Sequence, residues 1–149
     1  MPDFLVLPYQ DCDFLCPKDE FVASTGRVVE NARVKFGAST LPEVDLEGRL
    51  RAVFPGMSTQ NAGLSLICPT QRLFPGLLSP PTDELTALRV GSESFVASYP
   101  FSEFRLLPFL LRTSLLHRGL TAVRFAGAKI QYLLDLPTLL RNDRPAGAS

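Results

Sequence analysis

One pattern is written twice in this chain. Residues 33–51 read RVKF-GAS-TLPEVDL-EGRLR and residues 122–141 read AVRF-AGA-KIQYLLDL-PTLLR, which sets Phe36 against Phe125 and Asp45 against Asp135. Each copy predicts a strand, a glycine turn, a returning strand, an aspartate and a short helix. In the first strand Ala32, Val34 and Phe36 share a face, and Arg33 and Lys35 share the other, the period-two signature of a half-buried strand. Glycine supplies the turn. An aspartate at the strand end can accept a hydrogen bond from the free amides of the following helix, and its charge suits the helix dipole. Leu46, Leu50 and Val53 then fall on one helical face, and Pro55-Gly56 ends that helix. Asp135 caps LPTLLR in the same way, with Pro137 in the first turn. A unit used twice implies two related β-subdomains or one pseudo-symmetric β-structure.

The rest of the chain is punctuated to match. Its 13 prolines and 10 glycines are spread along 149 residues, which suits many short elements rather than long helices. Strands are predicted at Phe4–Leu7, at 11–16 with Cys12, Phe14 and Cys16 opposite Asp13, at Gly63–Cys68 and at Leu85–Val90. KDEFVAS is a turn or a single helical turn, Thr25-Gly26 is a break, GSES at 91–94 is a turn, and the proline-broken run 72–85 holds a short strand or a loop. In the second unit Leu120, Ala122 and Arg124 oppose Thr121, Val123 and Phe125. The one longer helix is predicted over Pro108–Arg118, with Gly119 just past its end. Residues 142–149 read as a disordered tail.

Composition closes several function classes. Hydrophobic residues make up 46% and charged residues 20%, enough for a packed core. Fifteen acidic residues balance fifteen basic ones, so nothing draws the whole chain to nucleic acid or anionic lipid. Arg105, Arg112, Arg118 and Arg124 do not cluster. No apolar run reaches the roughly 18 residues of a membrane helix, and MPDFLVLPYQD lacks the basic flank and the length of a signal peptide. Three cysteines, Cys12, Cys16 and Cys68, are read as free thiols in a reducing cytoplasm.

No catalytic constellation stands out. His117 is the only histidine, and Thr113 and Ser114 are near it in sequence only. Cys12 and Cys16 are four apart, without a second pair at zinc-ligand spacing. Asp83 and Glu84 are neighbours on a loop, which is a solvated pair. The expectation is a protein that is not an enzyme, with no catalytic residue, no metal and no cofactor.

Three lines of the sequence together resemble the CheW-like domain of bacterial chemotaxis coupling proteins, over about residues 4–141. DFLCPKDEFVAS is similar to the family's early strand, with Phe14, Pro17 and Val22 matching. VKFGASTLPEVDL is similar to its line ending L-P-V-V-D-L, through Leu41, Pro42, Val44, Asp45 and Leu46. GLTAVRFAGAKIQYLLDLPTLL is similar to its last hairpin and helix, through Gly119, Leu133, Leu134, Asp135, Leu136 and Leu140. Where the family carries Asn-Leu-Arg-Gly, this chain has Lys35-Phe36-Gly37-Ala38, so Gly37 replaces an arginine that engages receptors.

The resemblance implies a mainly β fold, two small pseudo-symmetric five-stranded β-barrel subdomains with a few short helices, intertwined in one domain spanning 1–141. It implies a non-catalytic cytoplasmic adaptor that links chemoreceptors to a histidine kinase. The implied partners are the kinase's CheW-like regulatory domain and the chemoreceptor cytoplasmic tip. Binding in such a domain is carried by apolar groove residues with a polar rim, which selects Phe21, Val22, Val34, Phe36 and Gly37. Each of the five also has an ordinary reading as core or turn. The alternative function is a β-barrel regulator that holds a small ligand in the groove between subdomains.

Overall fold

The computed structural model describes residues 1–9, 12–54, 63–75, 84–91, 93–106 and 119–141. The predicted helix at 108–118, with His117, the loop at 55–62 and the tail lie outside the described residues. The chain opens with an antiparallel hairpin, β1 (Asp3–Pro8) and β2 (Cys12–Pro17). A 3-10 turn at Lys18–Glu20 follows, then β3 (Ala23–Gly26), β4 (Val29–Glu30), β5 (Arg33–Phe36), β6 (Ser39–Leu41), β7 (Glu43–Asp45) and α1 (Leu46–Val53). The second half follows with β8 (Leu64–Pro69), α2 (Thr70–Leu73), β9 (Leu85–Val90), β10 (Phe95–Ser98), a 3-10 turn at Phe101–Glu103, β11 (Arg105–Leu106), β12 (Leu120–Ala126), β13 (Lys129–Leu134) and α3 (Leu136–Leu139).

The hydrogen-bonded ladders show the duplication. One sheet has six strands in the order β10-β1-β2-β13-β12-β11. The other unit is β3-β8-β9-β7, continued by the hairpin sheet β4-β5-β6. Replace β1, β2 and β10 by β8, β9 and β3, and the hairpin β12–β13 by β5 with β6 and β7, and the two orders coincide. Each unit therefore takes its leading hairpin from one half of the chain and its remaining strands from the other. The parallel contacts agree: β13 runs parallel to β2 and β7 parallel to β9. The mainly β, pseudo-symmetric fold expected from the repeat is the fold found.

Why these strands are apolar on both faces follows from this exchange. Phe4, Val6 and Leu15 point into the first unit's own interior. Val34, Leu41, Ile67 and Ala87 fill the second. The opposite faces of the same strands, with Leu5, Leu7, Phe14, Cys16, Leu66, Cys68 and Leu88, meet in a third cluster between the units, closed by Leu46 and Leu50 of α1 and Leu136, Leu139 and Leu140 at α3. A strand buried on both sides reads as a continuous apolar run. Asp13, on the face opposite Phe14 and Cys16, is buried, with Lys129 Nζ 2.7 Å from Oδ1.

Four local readings are corrected. Asn31 and Ala32 form a turn with φ of 55° and 63°, so Ala32 does not share the face of Val34. Thr25-Gly26 is the end of β3 rather than a break. Arg72 and Leu73 are helical, and the run 72–85 shows no strand among its described residues before β9 begins at Leu85. A bulge between Leu120 and Ala122 breaks the alternation of β12, so Leu120 and Val123 both reach the central cluster.

The register also moves the repeat by one residue. The two hairpin loops are Gly37-Ala38 and Gly127-Ala128, with φ of +61° and +63° at the glycines. Gly37 therefore matches Gly127, and Phe36 matches Ala126 rather than Phe125. A slip of one residue exchanges the faces of a strand. Phe36 packs against the second unit's core, whereas Phe125 is 58% exposed.

The two aspartates begin their helices differently. Asp45 Oδ1 accepts from the backbone N–H of Gly48 at 3.0 Å. Asp135 receives no backbone amide; Thr138 Oγ1 donates to its Oδ2 at 2.5 Å. The two helices are joined by Arg49, whose Nε and Nη2 donate to the Leu139 carbonyl at 3.2 and 3.1 Å.

Candidate functional site: the unit edges

Sheets that end in free edges expose backbone groups that another chain can pair with. Among the described residues the first unit's sheet ends at β10 and β11, and the second unit, where the consecutive strands β6 and β7 link its two ladders, has its outer ends at β3 and β4. Tyr99 N–H donates to the Pro2 carbonyl at 3.2 Å, continuing the β1–β10 register. Antiparallel ladders alternate, so the N–H and C=O groups of Val96 and Ser98 face away from β1.

Apart from Met1 and Phe125, the exposed large apolar side chains among the described residues follow these edges. Val22, Val28 and Val29 lie beside or on β3 and β4; Phe95, Val96, Phe101 and Leu106 lie on β10, on β11 or between them. Phe101 and Leu106 are the most exposed of these, at 69% and 73%. The ring of Phe101 meets Phe4 edge-on at 6.4 Å. Beneath it is a cleft of about 540 Å³ lined by Phe4, Phe21, Phe101 and Leu133, with Lys18 and Asp19 at its rim.

The five residues selected from sequence do not form one site. Val22 is 59% exposed, and its N–H is held by the Ile67 carbonyl at 2.8 Å. Phe21 lines the first unit's cleft and also packs on the central cluster. Phe36 lines a separate groove of about 510 Å³ with Arg33, Ser39 and Thr40. Gly37 is a hairpin tip with open space where a side chain would be. Val34 is wholly buried, so it serves as core and cannot touch a partner. The sequence reading missed Phe95, Val96, Phe101 and Leu106, because β10 and β11 were not read as strands. Extending the repeat toward its N-terminal half would have found them, since β10 occupies in the first unit the place of β3 in the second.

Electrostatics add one feature near the edges. The Glu20 carboxyl is pushed up to about 7, first by burial, then by Asp19 and Asp135, with Arg72 opposing. Two of the thiols are poor nucleophiles by environment: burial raises Cys16 strongly and pushes Cys68 up to about 12. Cys68 Sγ donates to the Glu20 carbonyl at 3.0 Å. Among the described residues, no group of three or more His, Cys, Asp or Glu side chains could hold a metal ion, and no helix is long and apolar enough to cross a membrane.

Two exchanged β-units with paired edges and helices at their seam define a CheW-like fold. The chain is similar in structure to the scaffolding protein TtCheW from Thermoanaerobacter tengcongensis, with a TM-score of 0.64 over 100% of this chain and 95% of that chain, at 12% sequence identity. No family model matches the sequence, and no curated protein does.

Proposed function

We propose that this chain is a non-catalytic adaptor of chemotaxis-type signal transduction, working in the cytoplasm and joining a chemoreceptor tip to a histidine kinase through protein contacts. The observation that carries the reading is the pair of equivalent edges on a scaffold-type fold, each bearing exposed apolar side chains. An adaptor needs two docking surfaces, and duplication supplies them. Residues 1–141 act as one domain in this reading, because the strand exchange ties the halves together. Phe21, Val22, Phe36 and Gly37 belong to the contact surfaces, and Val34 supports the hairpin from beneath. At Gly37 no arginine fork is present, so receptor contact at that tip is made by shape and backbone.

The test is titration of the chain with the kinase's CheW-like regulatory domain and, separately, with a receptor-tip fragment, read by calorimetry. Saturable binding to each, lost on charge substitutions at Val22 or Leu106, supports the adaptor. No complex with either at tens of micromolar protein overturns it. The alternative of a small ligand between the units finds less support: the described residues at the seam are packed against one another in the central cluster.

A further inference from the structure

The two units differ at a place where strand pairing continues in one and stops in the other. In the first, β13 runs beside β2 from Ile130 with Cys12 to Leu133 with Leu15. With Asp45 set against Asp135, Glu43 stands at the place of Leu133 and Ala87 at that of Leu15. The second unit's ladder starts only there, with Glu43 opposite Ala87. Residues 40–42 with 84 and 85, the counterparts of 130–132 with 12 and 13, form no ladder with one another. They line the groove of about 510 Å³ instead, together with Phe36.

Pro42 is the cause. Along β9 the backbone alternates: Thr70 N–H donates to the Glu84 carbonyl at 3.0 Å on the β8 side, and Ala87 N–H donates to the Pro42 carbonyl at 3.0 Å on the other. Leu85 therefore turns its N–H and C=O away from β8, toward β6. A parallel ladder carried one step further has the Leu85 carbonyl accept from the N–H of residue 42, and a proline has none. Tyr132 holds that place in the first unit and keeps its N–H. A strand carbonyl with no amide opposite it, at the wall of an open groove, is an acceptor for another chain.

We propose that this groove takes an extended peptide segment of a partner protein, which donates a backbone N–H to the Leu85 carbonyl and lays an apolar side chain against Phe36 and Pro42. Charge selects this occupant. Arg33 lies at the β6 wall, where its Nη2 donates to the Thr40 carbonyl at 3.3 Å, and Glu84 lies at the β9 wall. Neither is in an ion pair among the described residues. One guanidinium and one carboxylate give no net attraction for a phosphate or any other anion. They suit a strand with an acidic and a basic residue flanking its apolar one. The groove shares only Phe36 with the contact surfaces proposed above and needs neither partner named there.

The test is an NMR titration of the 15N-labelled chain with a blocked peptide that alternates valine with lysine and glutamate, and with the same peptide N-methylated at every amide. The expected result is saturable shifts of the Leu85 and Thr86 amide signals with the first peptide and none with the second. Pro42→Ala gives the Leu85 carbonyl a donor from within the chain, so binding should weaken about fivefold, as loss of one hydrogen bond implies. No shift at millimolar peptide, equal shifts with the N-methylated peptide, or unchanged affinity in Pro42→Ala overturns the proposal. Shifts of the same signals on raising the protein concentration alone assign the groove to a second copy and overturn it likewise. The two peptides decide on the unaltered chain, so the test does not depend on the folding of Pro42→Ala. A failure here leaves the two titrations that test the adaptor as they stand.

Discussion

Gly48 and Asp45 offer a test in which two effects of similar size oppose each other. Gly48 is the third residue of α1, and its N–H is the one that Asp45 accepts at 3.0 Å. Replacing a helical glycine by alanine ordinarily stabilises by up to about 1 kcal/mol. Here a methyl group at Gly48 would lie 2.7 Å from Asp45 Oδ2 and 3.0 Å from its Cγ. The carboxylate is the end of a rotatable side chain and can swing away, but then the cap is lost, at about 1 kcal/mol. Gly48→Ala is therefore expected to be close to neutral. Asp45→Ala alone should cost about 1 kcal/mol. In the Asp45→Ala background the obstacle is gone, so Gly48→Ala should then stabilise by nearly its full propensity gain. The coupling between the two sites is about 1 kcal/mol, which a double-mutant cycle by urea denaturation resolves. In a domain of this size it corresponds to about 2–4 °C in Tm. Equal stabilisation by Gly48→Ala in both backgrounds would refute the cap geometry.

Gly119→Ala should destabilise by about 3 kcal/mol or more, since φ is +91° and a methyl would meet Leu139 N at 2.9 Å; denaturation against wild type measures it. Arg49→Met should cost about 1–2 kcal/mol through loss of its two donors to the Leu139 carbonyl, with Arg49→Lys intermediate. The raised Glu20 pKa means that the folded state binds the proton more tightly than the unfolded state. Its contribution is complete below pH of about 4.5 and is lost as pH rises through about 7. Glu20→Gln should flatten that decline, and denaturation midpoints at pH 5.5 and 8 decide it. Leu106→Asp should leave the denaturation midpoint within about 0.5 kcal/mol of wild type, as surface changes do, while abolishing capture of whichever partner docks on the first unit.

How far the sequence disclosed this fold depended on whether a signal was local. Asp45, Leu46 and Leu50 lie within one turn of each other, and their roles as cap and buried face are as the spacing predicts. The hairpin glycines were equally legible, because a tight turn leaves little freedom in residue type. Asp135 was half legible: Pro137 has no N–H to offer and Thr138 supplies its hydroxyl, so the same letter performs a different bond. Val34 looked like a groove residue because alternation marks which residues share a face but not which face meets solvent. Only the strand exchange, which wraps β5 and β6 over Ile67 and Ala87, buries it. β10 and β11 were missed because short edge strands carry few residues and are apolar on no consistent face.

The one-residue correction at the hairpins bears on function as well as register. Had Phe36 and Phe125 been counterparts, the two tips would carry like side chains and the units would present equivalent ends. With Gly37 matched to Gly127, exposed Phe125 stands where the first copy has exposed Lys35, and buried Gln131 stands where it has Leu41. The edges diverge in the same sense. Phe95 and Val96 of β10 occupy the places of Ala23 and Ser24 of β3. Both edges keep exposed apolar side chains, but the first carries the aromatic rings of Phe95 and Phe125 where the second has Ala23 and Lys35, with the smaller Val22, Val28 and Val29 beside them. Two identical surfaces would compete for the same partner. Two that differ in polarity can discriminate between partners by several kcal/mol, on the order of what one buried aromatic anchor contributes. Exchange of Phe95-Val96 for Ala-Ser is therefore expected to remove selectivity between the two edges rather than binding as a whole, and unchanged affinities for both partners would show that the edges do not carry the choice.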